Sequence, residues 1–152
     1  MNDVVFSSST PNISLPLLYS AQAQKEFVVN ESLALLDVLV PGVVRAVCDS
    51  PPADAAEGQV FIVGSAPADG FKSATSGQLA LLSQGGWRFL NPIKGMRLHD
   101  NQSGRDFRFD NAWISAERPA VPTEGAIQDI EVRACLATLI EQLSAIGLFA
   151  PV

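Results

Sequence analysis

Apolar positions recur at helical spacing along residues 21–40, with polar side chains set among them. Gln22, Gln24, Lys25, Asn30 and Glu31 are interleaved with Phe27, Val28, Val29, Leu33, Leu35 and Leu36. The pattern predicts one long helix over about Ala21–Val40. Ser20 opens it, its hydroxyl accepting from an otherwise unpaired helix N–H. Pro16 keeps the chain before it extended, and Pro41-Gly42 stops it. A helix apolar on this many faces is expected to be buried against more than one neighbour.

From Val43 to about Ser115 the pattern changes to short apolar runs punctuated by turn residues. Residues 43–47 and 60–63 read as strands separated by the Pro51-Pro52 loop. Residues 79–82 and 87–90 flank Gln84-Gly85-Gly86, a hairpin turn that tolerates positive φ. Residues 96–99 and 107–109 flank a second hairpin turn at 100–104, and Asp110-Asn111 leads into Trp113-Ile114. Beyond Pro119-Ala120-Val121-Pro122, Thr123 is expected to cap a last helix running to about Ile146, ended by Gly147. Within it Val132, Leu136, Leu139, Leu143 and Ile146 follow spacings of four, three, four and three. That is the 3.5-residue repeat of a coiled-coil seam, over only about two heptads. Ile130 and Ile140 widen the stripe, which favours three strands over two.

The fold expected from these patterns is α+β: a long N-terminal helix, a small antiparallel β-meander and a C-terminal coiled-coil-like helix, assembled as a homotrimer. The segments are a flexible arm at 1–13, an oligomerisation helix region at 14–42 and a β-meander domain at 43–117. A linker at 118–122 and a zipper helix at 123–152 complete the chain.

Composition narrows the function classes. The chain has 152 residues, 47% of them hydrophobic and 17% charged. That is too apolar for a disordered chain, and richer in apolar side chains than a small monomer readily hides. A net charge of −6 with ten basic residues and no basic run argues against a nucleic-acid partner. No apolar stretch reaches the ~20 residues a bilayer span needs, and no signal-peptide pattern opens the sequence, so membrane insertion is not expected and cytoplasmic synthesis is. Cys48 and Cys135 are read as buried free thiols.

Candidate chemistry is sparse. His99 is the only histidine and reads as a solvated turn residue, so no catalytic residue is assigned. One His and two distant Cys cannot close a metal site, and no cofactor motif occurs. Asp100, Asn101, Asp106 and Asp110 form a loose oxygen-rich cluster that ordinary turn chemistry explains. Gln22, Gln24, Lys25, Asn30, Glu31 and Asp37 are assigned to an assembly helix, where polar groups at a seam set register and copy number. Lys25 is expected to pair with Glu26, or with Glu31 across subunits. Trp87 and Trp113, with Arg88 and Asn111, are the candidates for stacking on and bonding to a glycan; a Trp following a tight turn reads more readily as local core.

Leu15-Pro16, Gln22-Ala-Gln-Lys-Glu26, Asn30-Glu-Ser-Leu33 and Leu35-Leu-Asp37 together resemble a domain-of-unknown-function family from tail-fibre and related virion proteins of alphaproteobacterial phages, prophages and gene transfer agents. Pro51-Pro52, residues 57–64 and Gly85-Gly86-Trp87-Arg88-Phe89-Leu90-Asn91-Pro92 extend the likeness over about residues 14–114. The resemblance implies a non-enzymatic virion component, a tail fibre, spike or its adaptor, found in a phage-like particle. Its implied partners are further copies of itself and other virion proteins. The alternative is a carbohydrate-binding module that recognises a host surface polysaccharide.

Overall fold

The computed structural model describes residues 8–18, 25–83, 85–121 and 129–149. The chain divides into two compact units, Met1–Pro92 and Ile93–Val152. The first contains helix α1 (Lys25–Leu39), strands β1 (Val43–Val44), β2 (Ala46–Cys48) and β3 (Val60–Val63), a 3-10 turn at Asp69–Phe71, and strands β4 (Leu79–Ser83) and β5 (Gly86–Leu90). The second contains β6 (Arg97–Asp100), β7 (Arg105–Phe109), β8 (Trp113–Ile114) and helix α2 (Ile130–Ala145).

Strands β2, β3, β4 and β5 lie in that order in one sheet. β3, β4 and β5 are joined antiparallel, but β2 runs parallel to β3, with Ala46 opposite Phe61 and Cys48 opposite Val63. A parallel neighbour needs a crossover in place of a hairpin. Residues 49–59 provide it without a helix, and their turn at Pro51-Pro52 carries no signal that distinguishes a crossover from a hairpin loop. The single strand expected over residues 43–47 is two, divided at Arg45, whose N–H donates to the Val60 carbonyl at 2.8 Å.

One row of side chains crosses all four strands: Ala46, Phe61, Ala80 and Phe89. The two alanines leave room for the fully buried ring of Phe71, delivered by the 3-10 turn. Phe71 meets Trp87 at 4.9 Å between centroids and Phe89 at 6.0 Å, both nearly perpendicular. Edge-to-face geometry of this kind suits the ring quadrupoles. β3 is buried along its whole length, so the sheet is covered on both faces there.

In the second unit β6, β7 and β8 form an antiparallel succession, Leu98 facing Phe107 and Phe109 facing Trp113. The β6–β7 turn is held by Asp100, which is buried. Its carboxylate accepts from the Gln102 N–H at 3.0 Å and from the Ser103 hydroxyl at 2.5 Å. α2 starts on Asp129, whose carboxylate accepts from the Val132 N–H at 2.9 Å. Ile140 is its buried anchor. The helix ends at Gly147, with φ of 82°, whose carbonyl accepts from the Asp106 N–H at 2.7 Å. A Cβ at this glycine would lie 3.1 Å from Asp106 Oδ1 and 3.3 Å from the His99 ring. Gly147→Ala is expected to cost about 1–2 kcal/mol through its left-handed backbone alone, read as a lowered melting temperature.

The expected architecture is therefore corrected. The helices are short, 15 and 16 residues, and no long N-terminal helix is present among the described residues. The strands are not one antiparallel meander, because a mixed sheet takes β2 to β5. Asp129, in extended backbone, caps the last helix six residues after the expected cap. The positions expected to open the helices, Ser20 and Thr123, lie outside the described residues, as do Gln22, Gln24 and most of the expected N-terminal arm.

Candidate functional site

Asn30, Glu31 and Asp37 of α1 have their partners inside their own unit. Asn30 and Asp37 are seven residues apart, two helical turns, and so share one face. Asn30 binds the backbone of Leu18 from both ends of its amide, accepting from the N–H at 2.9 Å and donating to the carbonyl at 3.1 Å. Asp37 is fully buried. It accepts from the Thr10 hydroxyl at 2.6 Å, the Ile13 N–H at 2.7 Å, and the Asn12 N–H and side-chain amide at 2.9 Å each. Burial pushes this carboxyl up, and the donors of Thr10, Ile13 and Asn12 together outweigh it, holding the group below the ordinary aspartate value. Residues 10–18 are thereby a strap laid along the helix. The Asn12 amide also reaches the Gly58 carbonyl at 3.0 Å, and a Cβ at Gly58 would overlap the Pro11 ring.

Glu31 forms an ion pair with Arg88 on β5. The pair lowers the glutamate and raises the arginine. This partner is in the same chain, unlike the inter-subunit Lys25–Glu31 pair expected from sequence. Beside it lies a cleft of about 380 Å³, with Leu17, Leu18, Phe27, Ala34 and Leu81 among its walls. Its size falls at the low end of small-ligand pockets.

The glycan candidates fall in two units, Trp87 and Arg88 in the first, Trp113 and Asn111 in the second. Trp87 is half-buried, its ring packed against Phe71 and, at 5.8 Å, against Phe61 at the edge of the core. Trp113 is half-buried against Phe109 at 5.1 Å. Asn111 is exposed at a turn with φ of 63°. Next to it Asp110 takes Lys94 at 2.8 Å and Arg108 at 3.0 Å, and these cations, Lys94 first, hold its carboxyl below the ordinary value.

His99 Nδ1 lies 2.7 Å from Asp106 Oδ1 across the β6–β7 pair, so the histidine is partnered and half-exposed. Cys48 is half-buried, and burial followed by the Asp49 charge pushes its thiol up. Cys135 is exposed on α2, contrary to the expected burial, because the helix turns Ile140 inward and leaves the Cys135 side in solvent. Among the described residues no group of three His, Cys, Asp or Glu side chains is placed to hold a metal ion. No helix among them is long and apolar enough to cross a membrane.

The seam positions of α2 lie outward. Val132, Leu139 and Ile146 are 53%, 51% and 71% exposed, Leu136 is exposed, and Leu143 is half-buried. α1 likewise leaves an outward stripe, with Val28, Leu36 and Val40 at 70%, 49% and 67%. Sequence reasoning located the polar residues of α1 but not the strap they hold. The available signal was the seven-residue interval between Asn30 and Asp37, together with the hydrogen-bonding run Thr10-Pro11-Asn12.

These features define a small mixed-sheet protein whose polar helix face is satisfied internally and whose two helices present apolar stripes to solvent. The chain belongs to the family described as protein of unknown function (DUF2793), whose model matches residues 29–114, from within α1 to the end of β8. No curated protein matches it.

Proposed function

We propose that this chain is a non-enzymatic structural component of a phage-like virion, a tail fibre, spike or adaptor, that assembles as a homo-oligomer. The carrying observation is the α2 stripe. Val132, Leu136, Leu139 and Ile146 sit at coiled-coil spacing and face water in the single chain. Ile140, just beside the stripe, is already buried in the single chain. A contiguous apolar surface of this kind marks an interaction site. The resemblance of the Gln-Ala-Gln-Lys-Glu and Asn-Glu-Ser-Leu segments to tail-fibre proteins supports the virion setting. Further copies of the chain and neighbouring virion proteins are the partners this reading requires. A carbohydrate-binding role draws less support, since Trp87 gives its ring to the core.

Light scattering tests the proposal. The full chain is expected at a multiple of 16.1 kDa. Leu136→Glu with Leu139→Glu is expected to bring it to monomer mass with an unchanged circular dichroism spectrum. A wild-type chain that stays monomeric at high micromolar concentration would overturn the reading.

A further inference from the structure

The cleft beside Glu31 and Arg88 is walled by the strap, α1, β4 and β5, all within the first unit. Leu17, Leu18, Ala34, Leu35 and Leu81 give it apolar sides. Phe27 also belongs to the wall, yet its side chain is 70% exposed, so the ring adds little to the core. The hydrogen-bonding groups around the cleft are largely spent. Thr10 donates to Asp37, Asn30 holds the Leu18 backbone from both ends of its amide, and Ser83 donates to the Gly86 carbonyl at 3.1 Å. Few directional partners remain for a neutral, hydroxyl-rich ligand such as a sugar.

Charge is what remains to select a ligand. Three glutamates, Glu26, Glu31 and Glu57, line the cleft against one arginine, Arg88. Arg88 is committed to Glu31, so the wall keeps an excess of negative charge. An anion entering between apolar walls would be repelled by that excess, more strongly than in open water.

We infer that this cleft binds a small organic cation, an ammonium group carried on an apolar body. The body is buried among the leucines, and the ammonium lies over the Phe27 ring within the field of the carboxylates. Ammonium groups are attracted to aromatic faces, and nearby negative charge adds to that attraction. The volume of about 380 Å³ selects a small molecule over a protein element. Nothing in this site depends on the oligomer proposed above.

The test titrates the full chain with three ligands of one shape, phenylpropylammonium, phenylpropanol and phenylpropanoate, and follows amide chemical shifts. The expected result is saturable shifts at the cleft walls, with the ammonium bound about tenfold tighter than the carboxylate. Phe27→Ala is expected to weaken ammonium binding about threefold. Glu57→Lys is expected to weaken it about tenfold and to tighten the carboxylate. Both positions are exposed, so both variants should fold. If either unfolds, the wild type in rising salt decides: weaker ammonium binding supports the inference, and salt-independent binding overturns it. Equal affinity for ammonium and carboxylate overturns it, as do shifts confined to residues away from the cleft. Unchanged affinity in both folded variants, or no saturation by the ammonium at millimolar concentration, does the same.

Discussion

Replacing Phe71 with alanine is expected to lower the stability of the first unit by about 3–5 kcal/mol, the range for emptying a buried aromatic site. Three features put it at the high end. The ring is completely buried, it meets Trp87 and Phe89 edge-to-face, and the row beneath it carries alanines at positions 46 and 80. Those alanines have no side chain to swing into the void. The ring also rides on a short 3-10 turn, and that turn loses its only buried residue. Chemical denaturation followed by Trp87 fluorescence is the measurement. Phe71→Leu should recover part of the loss, because it restores volume without the aromatic contacts. A loss below 1 kcal/mol would mean that the turn, rather than the ring, closes the core.

Removing the carboxylate of Asp37 is expected to cost roughly 2–4 kcal/mol, since the hydroxyl of Thr10 and the N–H groups of Asn12 and Ile13 are left facing a cavity. Limited proteolysis should then cut within residues 10–18, the strap that the side chain holds. Asp37 also predicts a pH dependence. Its folded value lies below that of the unfolded chain, so its contribution is fully present above the unfolded carboxylate value of about 3.9 and is lost as pH falls through the lower folded value. The wild type should lose stability as pH falls below about 4. Asp37→Asn keeps the shape without the titrating group and should show a shallower loss over the same window. Identical acid profiles for the two proteins would remove Asp37 from the linkage.

Strands β3 to β8 were legible in the sequence because alternating apolar residues and glycine-bearing turns specify local antiparallel pairing. Strand β3 fell on the expected residues 60–63, and β8 on 113–114. What escaped was non-local. The parallel partner of β3 is joined by a crossover whose residues look like any turn. Asp37 reads, along the sequence, as one polar residue in an apolar helix. Its donors are 24–27 positions upstream, too far for helical periodicity to reveal. Of the site, Asn30, Glu31 and Asp37 were visible as polar residues of an apolar helix, and their intrachain partners were not. The α2 seam was legible as spacing, while the buried anchor at Ile140 was read only as a flank of it. Trp87 followed the usual ambiguity of a ring after a tight turn, and the two aromatics against it, Phe61 and Phe71, decide where it goes.

The parallel pairing of β2 with β3 also sets an order of assembly. The β4–β5 hairpin has the shortest connection and closes on the microsecond scale of such units. β3 adds next across the loop before β4. β2 gains its first ladder bond only after residues 49–59 have closed, so it pays loop entropy before any reward. Until then its apolar backbone edge is open to other chains, which makes β2 the point where folding and aggregation compete.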